Sequence, residues 1–536
     1  MGEKKKTAAA WLHKALPDAV KAAFICCMIA GLTAHIFAFT NIIPNPDGIS
    51  RVNDAQQMTV SGRWFLHYAT AWNGYVQSPA VIGFFSVLFM SISAGLVAHI
   101  FKIKSALAGG LCGVLMIVFP SVAYTYLYMF TASAYFFGLL LAVFSVWLAV
   151  RYKYGFLFGA VPLACAVGTY QAYFAAAVSL SLIFVILYAL DGNRSVKDIL
   201  ICAAKHIAFL ALGLLAYFAI LKLFLWAKEL TLLDYKGISS LGDGLTLKGI
   251  LSLILSAYKK FVSYFFIPHG FASYTTVFSA IVNALFAAAG VWAFVKVVKK
   301  NGAAKKAGPF AVTLVLCALL PLALNLTVLM GDAMPIMRYA LVFTYLFAIV
   351  LADRAAPSDD RRKKTGFRPL TLQNAVVCFA ALISIISFNI DNVAYTVSAQ
   401  AHRATESFAT RLVQRVESTP GYKNGMEVVV IGGFPSGVYN NDVAAFSLVE
   451  DYSAPSTSVV PLNKHIYYYL NDWMNVRWKE PDEDTMKSVA ESEEFKDMPL
   501  YPDDGSVAIR DGSVIVKLAE EYKPKSEYEK QYEKRK

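Results

Sequence analysis

The chain has 536 residues, of which 57% are hydrophobic and only 16% are charged, and its formal net charge is +12. About a quarter of the residues of a soluble globular protein are charged, so this composition excludes an ordinary water-soluble chain. No basic patch is interleaved with exposed aromatic residues on a polar segment, so the positive charge does not indicate a nucleic-acid partner.

The first apolar run predicts a retained membrane helix. Lys4, Lys5 and Lys6 precede it, and no small-residue cleavage site follows, so we expect an uncleaved helix rather than a signal peptide. Ten further runs approach spanning length, and together they predict about eleven transmembrane helices. The eleven runs cover residues 20–40, 79–101, 105–120, 130–150, 154–168, 171–190, 199–225, 273–295, 309–330, 336–353 and 372–390.

The fifth and sixth runs meet at Gly168-Thr169-Tyr170-Gln171. This polar interruption is compatible with one long helix or with two short helices separated by a break.

Basic residues fall in alternate loops, and this alternation predicts the orientation of the chain. Loops rich in Lys and Arg lie in the cytoplasm of most membrane proteins. We therefore expect a cytoplasmic N-terminus and, after eleven spans, a C-terminal domain outside the membrane. The basic loops contain Lys102 and Lys104; Arg151 and Lys153; Arg194 and Lys197; Lys299, Lys300, Lys305 and Lys306; and Arg361, Arg362, Lys363, Lys364 and Arg368.

Two of the predicted outer loops are long, at about residues 41–78 and 226–272. Long loops in a compact protein are usually functional. Within the second, Leu247–Phe266 mixes apolar residues with Lys248, Lys259 and Lys260. We expect an amphipathic helix in the membrane interface. The alternative is a short additional span, which would invert the topology of everything after it.

After Asn389 the long apolar runs end and the sequence becomes more polar. Residues 395–417 predict a polar amphipathic helix, and Met426–Ile431 predicts a short buried strand. Ser506–Leu518 predicts a β-hairpin around Asp511-Gly512, a dipeptide that favours tight hairpin turns. The division expected is a transmembrane domain over 1–390, an α+β extracytoplasmic domain over 391–520 and a charged flexible tail over 521–536. The fold class is mainly α and polytopic.

The first outer loop concentrates residues that could carry chemistry. Asp47, Arg51, Asn53, Asp54 and Arg63 lie within a short stretch. A carboxylate near apolar surface can act as a general base, and arginines beside it can bind a phosphate. The alternative is a solvated loop with incidental charges.

Three short motifs give the chain a resemblance to a known family. Asp47-Gly-x-x-Arg51 and Gly62-Arg63-Trp64 lie in the first outer loop, and Gly168-Thr169-Tyr170-Gln171-Ala172-Tyr173 lies further on. This pattern resembles the Gtr-type glucosyltransferases that modify O-antigen and related bacterial surface polysaccharides. The likeness covers the membrane part, about 390 residues. The family often has two consecutive acidic residues at the first motif, whereas this chain has Pro46-Asp47, so Asp47 corresponds and Asp54 is a second candidate.

The resemblance implies a GT-C-like membrane glycosyltransferase in the bacterial plasma membrane. Its donor would be a polyprenyl-phosphate-linked hexose, and its acceptor a surface polysaccharide or a lipid-linked glycan. A first-loop carboxylate, Asp47 or Asp54, would deprotonate the acceptor, and the anomeric carbon would be inverted. A cationic group must then stabilise the leaving lipid phosphate. The candidates are Arg63, Arg338, Lys259 and Lys260.

Other residues are expected to contact the substrates. Arg51, Asn53 and Trp64 belong to the first-loop motifs, and Tyr170, Gln171 and Tyr173 could hydrogen-bond a sugar. The alternative for the last three is interhelical hydrogen bonding, and for Arg338 it is snorkelling to lipid head groups. No ligand spacing predicts zinc. Asp47 and Asp54 could bind a divalent cation, although nothing in the sequence requires one.

Two other functions compete with this prediction. A lipid-linked polysaccharide polymerase would also have many spans and a large outer loop. A flippase or transporter of lipid-linked sugars should show inverted repeats or paired broken helices near the membrane midplane. The sequence shows no such pairing, and its polar residues cluster at one predicted membrane face.

Overall fold

The computed structural model describes residues 16–44, 47–49, 54–232, 246–269, 275–330, 333–356, 372–434, 460 and 463–524. They belong to two compact units. The first, the helical unit, comprises Met1–Thr40 and Ala55–Asn392, and the second, the C-terminal unit, comprises Asn41–Asp54 and Val393–Lys536. The sequence analysis assigns residues 41–54 to the transmembrane domain, whereas the contacts group them with the C-terminal unit.

The helical unit is built almost entirely from apolar helices. Nine helices in the described ranges are long and apolar enough to cross a membrane, and Gly155–Thr169 and Tyr173–Ala189 are shorter apolar helical stretches. This confirms the prediction of a mainly α, polytopic membrane protein. In chain order the helices are α1 Asp18–Thr40, α2 Leu66–Thr70, α3 Pro79–Ile100, α4 Ala106–Val118, α5 Pro120–Leu127, α6 Met129–Arg151, α7 Gly155–Phe158, α8 Ala160–Thr169, α9 Tyr173–Ala189, α10 Val196–Ala227, α11 Leu247–Phe266, α12 Val277–Asn301, α13 Ala307–Leu324, α14 Val342–Ala355 and α15 Leu372–Glu417. The residues of α15 from Val393 onward belong to the C-terminal unit.

Small residues let the first helices pack closely. Gly109 and Gly113 lie four residues apart on α4 and face α1. A Cβ added at either would lie 2.2 Å from a backbone oxygen of α1, that of Ala19 or Ala23. Glycines at this spacing allow two helix backbones to approach each other in a membrane. The contact also brings the N-terminal ends of α1 and α4 to the same end of the helical unit.

One arginine joins several of the basic loops. Arg354, at the end of α14, donates from Nη1 to the Leu187 oxygen at 2.9 Å and forms an ion pair with Asp191 at 3.4 Å. Its Nη2 donates to the Phe101 oxygen at 3.5 Å. Lys300 Nζ donates to the Arg354 oxygen at 2.7 Å. The C-terminal ends of α3, α9, α12 and α14 therefore meet, and we call this end of the helical unit the basic end.

The same end is reinforced by a neighbouring carboxylate. Asp353 accepts the backbone N–H groups of Lys104 and Ser105 at 2.9 and 3.0 Å. Asn301 Nδ2 donates to the Leu190 oxygen at 2.8 Å. Because these loops alternate along the chain, their meeting agrees with the alternation of basic loops in the sequence.

The course of α11 follows from its neighbours. The preceding helix, α10, begins next to the basic end and runs for 32 residues, about 48 Å, away from it. The following helix, α12, ends at the basic end. The chain between them therefore begins and ends at the far end, which agrees with an interfacial α11, although its length would allow a crossing. Besides α11, eight long apolar helices and the two shorter ones remain in the described ranges, and the count of eleven spans stays a prediction.

The C-terminal unit contains a small mixed sheet of β1 Val428–Ile431, β2 Val507–Arg510 and β3 Ser513–Lys517. The strand order is β1-β3-β2, with β1 parallel and β2 antiparallel to β3. The predicted hairpin is confirmed, since Asp511 and Gly512 form the turn with positive φ angles of 47° and 82°. The remaining helices of this unit are α16 Asn463–Tyr468, α17 Glu483–Glu491 and α18 Glu493–Lys496.

A buried lysine fixes the end of the sheet. Lys517 is 1% exposed, and its Nζ donates to the oxygens of Lys496 and Met498 at 3.0 and 2.8 Å. It also pairs with Glu520 at 2.7 Å. Several acceptors are needed to offset the loss of hydration of a buried ammonium. This arrangement attaches β3 to the end of α18.

The orientation of the chain can be tested with single cysteines. Asn424→Cys lies on an exposed loop of the C-terminal unit, and Lys305→Cys is exposed in the loop after α12. We expect an impermeant thiol reagent to label Asn424→Cys in intact cells and Lys305→Cys only after the cells are permeabilised. The native chain gives the background of its own cysteines. Labelling of Lys305→Cys in intact cells, with protection of Asn424→Cys, would reverse the orientation.

Candidate functional site

The Gly62-Arg63-Trp64 motif forms a tight turn. A short 3-10 turn over Thr59–Ser61 ends at Gly62, which has a φ of +80°. The Arg63 N–H then donates back to the Met58 oxygen at 3.1 Å. An L-residue pays about 1–2 kcal/mol in this left-handed region, so glycine is favoured at position 62.

The second motif forms a break between two helices. Helix α8 ends at Thr169, Tyr170 is extended, and α9 begins at Tyr173. The structure thus has two short helices, one of the two alternatives that the sequence leaves open. At the break, the Gly168 oxygen accepts the Phe65 N–H at 2.9 Å. The two motifs are therefore in direct contact.

Two side chains hold the first motif by its backbone. Gln171 Nε2 donates to the Ser61 oxygen at 2.9 Å, and the Tyr217 hydroxyl, from α10, donates to the Gly62 oxygen at 3.1 Å. A Cβ at Gly62 would lie 2.6 Å from the Tyr217 hydroxyl and 2.8 Å from Gln171 Nε2. Gln171 therefore positions the loop, which is the interhelical role that the sequence left open beside sugar binding.

Trp64 packs into the contact between the two motifs, which we call the junction. It is 5% exposed and stacks on Phe224 of α10, with ring centroids 5.7 Å apart. A Cβ at Gly168 would lie 2.6 Å from Trp64 Cε2. Its indole Nε1 is buried without a hydrogen-bond partner in the part of the chain that the structure describes. Trp64 therefore packs the turn against α8 and α10.

Arg63 belongs to a cluster with three tyrosines. Its Nη1 donates to the Tyr135 hydroxyl at 3.1 Å, and its Cζ lies 5.3 Å from the centre of the Tyr170 ring. Tyr135 and Tyr170 stack with centroids 4.5 Å apart, and Tyr173 meets both rings edge-on. We call these four residues the Arg63 cluster. A guanidinium among phenol groups can bind phosphate oxygens and sugar hydroxyls together.

Arg338 lies in a turn that packs beside the cluster. It is 7% exposed, and its Nε donates to the Ala333 oxygen at 2.9 Å. Its burial argues against the alternative of snorkelling. The next turn, Tyr339–Leu341, contacts α9, the helix that begins at Tyr173. The Tyr339 hydroxyl donates to the Met116 oxygen at 3.1 Å.

The two carboxylates of the first loop belong to the C-terminal unit. Asp47 is exposed in a turn that includes Gly48 and Ile49. Ile49 is fully buried in the hydrophobic core of that unit, and its oxygen accepts the Trp473 indole N–H at 2.9 Å. Asp54 is half-buried. The structure therefore attaches the Asp47 turn to the C-terminal unit.

The other predicted site residues are distributed differently. Lys259 and Lys260 lie on α11, with Lys259 exposed. Arg51 and Asn53 lie outside the described residues. No group of three or more His, Cys, Asp or Glu residues suited to a metal ion occurs among the described residues.

Sequence reasoning missed three residues. Tyr135 and Tyr217 lie in aromatic-rich apolar runs, where nothing distinguishes them from core residues. Asp391 is fully buried, and neither carboxylate oxygen has a hydrogen-bond partner within the described ranges. Ionisable groups at such positions are costly and commonly functional. The sequence signal for Asp391 was the acidic residue within FNIDN. The predicted end of the last apolar run, at residue 390, leaves Asp391 just outside the span.

A family comparison covers the region that carries these motifs. The profile of the glucosyl transferase GtrII family matches residues 36–352, more than half of the chain. The chain belongs to this family. The matched region contains Asp47, the Arg63 cluster and Arg338, and it ends before α15 and the sheet. No curated protein and no solved structure matches the chain.

The junction in this GtrII protein can be tested at Gly62. We expect Gly62→Ala to lower the thermal unfolding temperature and to reduce glucosyl transfer at least about tenfold, because the methyl group displaces Tyr217 and Gln171. Gly74→Ala is the matched control, since Gly74 also has a positive φ of 63° but no atom within 4 Å of an added Cβ. Equal losses in the two variants would contradict a specific role for the junction.

Proposed function

We propose that this GtrII protein transfers a hexose from a polyprenyl-phosphate-linked donor to a surface polysaccharide or glycolipid acceptor. Its family indicates that this hexose is glucose. The reaction would take place at the outer face of the bacterial plasma membrane. Family membership supports glucosyl transfer, and the apolar helices support a membrane-bound enzyme. The assignment to the outer face is supported by the location of the Arg63 cluster, which lies away from the basic end of the helical unit.

The Arg63 cluster is the observation that carries this proposal. A lipid-phosphate donor presents an anionic phosphate next to a sugar, and the cluster offers a guanidinium next to phenol hydroxyls. Arg63 is oriented by Tyr135 and Tyr170, and its backbone is fixed through the Met58 oxygen. Preorganised cations of this kind stabilise the charge that develops on a leaving phosphate. Arg338 is the second candidate for the same role.

The proposed reaction is a single displacement. The Asp47 carboxylate removes the proton of the acceptor hydroxyl, and the acceptor oxygen bonds to the anomeric carbon. The bond between that carbon and the phosphate oxygen breaks, and its electron pair leaves with the polyprenyl phosphate. The configuration of the anomeric carbon inverts. Arg63 compensates the negative charge that remains on the phosphate.

Asp47 is preferred as the base because its turn is anchored. Ile49, two residues later, is buried in the core of the C-terminal unit, and Trp473 binds its oxygen. The carboxylate itself is exposed and can therefore meet a large acceptor. A general base contributes typically 10²–10⁴-fold to the rate when it is held in place.

The assay uses membranes that contain the full chain, polyprenyl-phosphate glucose and the acceptor glycan. We expect Asp47→Asn to reduce transfer about 100-fold or more at normal protein abundance, and Asp54→Asn to retain most of the activity. The reverse result would make Asp54 the base, and full activity in both variants would reject a first-loop base. Mass analysis of the product should show single added hexoses. Products that grow by whole repeat units would indicate a polymerase instead.

A further inference from the structure

A cavity lies at the basic end of the helical unit, away from the Arg63 cluster. It measures about 360 Å³ and lies between the end of α6, the short α7, the end of α9 and the start of α10. Its lining includes three cations, Arg151, Lys153 and Lys205, together with Tyr188 and the buried His206. A cavity of this volume can hold a ligand head group.

The charge of this cavity is not balanced by the protein. The one carboxylate in its lining is Asp198, which already accepts the Ser195 N–H and hydroxyl at 3.0 and 2.8 Å as part of the α10 cap. Within the described ranges, Arg151, Lys153 and Lys205 form no ion pair. Three cations around one occupied carboxylate create a positive potential that attracts an anion.

The apolar surroundings indicate that this anion is attached to a lipid. Phe156, Phe184 and Ile201 also line the cavity, and Ile201 is 45% exposed. Tyr152, which lines the cavity, and Tyr154 are more than half exposed, and Phe158 is 69% exposed. In a membrane protein, exposed tyrosines at helix ends lie at the level of the lipid head groups. A soluble anion would not need these apolar contacts.

We propose that this cavity binds the phosphate head group of an anionic phospholipid of the membrane. Basic pockets between transmembrane helices at a basic membrane face suit such head groups. Arg151 and Lys205 would contact the phosphate, and the acyl chains would lie against Phe156 and Ile201. The inference is independent of the glucosyl donor and acceptor.

Occupancy would also affect the distant site. Residues of α6 and α10 line the cavity. The same two helices carry Tyr135 and Tyr217 toward their other ends. A ligand that binds only the folded protein raises its stability by mass action. The bound lipid would therefore stabilise the two helices that orient Arg63 and hold the Gly62 turn.

The test uses the full-length protein in a neutral detergent. Phosphatidylglycerol and phosphatidylcholine are titrated separately, with native mass spectrometry to detect bound lipid and thermal unfolding to detect stabilisation. We expect phosphatidylglycerol to bind and to raise the unfolding temperature, and phosphatidylcholine to do neither. Arg151→Gln/Lys205→Gln should bind phosphatidylglycerol at least about tenfold more weakly. The side chains of Arg151 and Lys205 are both exposed, so the double variant without lipid should unfold at the same temperature as the native chain. Lys153→Gln provides a second, milder variant.

The matched control is Lys305→Gln/Lys306→Gln, which removes two exposed charges from the same end but outside the cavity lining. It should bind phosphatidylglycerol as the native chain does. Equal weakening in the control would reduce the effect to general charge attraction and overturn the proposal. Unchanged binding in both cavity variants would also overturn it. Equal stabilisation by millimolar inorganic phosphate would assign the cavity to a soluble anion instead of a lipid.

Discussion

The candidate site depends on two side-chain hydrogen bonds to the backbone of one turn. Gln171 and Tyr217 donate to the oxygens of Ser61 and Gly62 at 2.9 and 3.1 Å. They join the first loop to the break between α8 and α9 and to α10, respectively. In a membrane protein, each unsatisfied backbone group costs several kcal/mol, so a break between helices persists only where such partners exist. The docked turn then places Arg63 against Tyr135 and Tyr170.

The first outer loop is divided between two tasks. Its later part forms the docked turn of the helical unit, and its earlier part joins the core of the C-terminal unit through Ile49. The turn that carries Asp47, the proposed base, therefore belongs to the C-terminal unit.

Much of this arrangement could be predicted from local patterns, and the rest needed tertiary contacts. Apolar runs gave the helices, Asp511-Gly512 gave the hairpin, and Gly168-Thr169-Tyr170-Gln171 gave the break. The bond between Trp473 and Ile49 joins residues 424 positions apart and leaves no local signal. Tyr135 and Tyr217 could not be distinguished either, because a tyrosine in an apolar run looks the same whether it packs in a core or orients an arginine.

The central claim is that Arg63 binds the phosphate of the lipid carrier. The most direct measurement is the affinity of the purified chain for polyprenyl phosphate, compared between the native chain, Arg63→Gln and Asp47→Asn. The account predicts that Arg63→Gln weakens binding about tenfold or more, because a charge-assisted bond is lost, and that Asp47→Asn binds normally. Native affinity in Arg63→Gln would contradict the claim and transfer the role to Arg338.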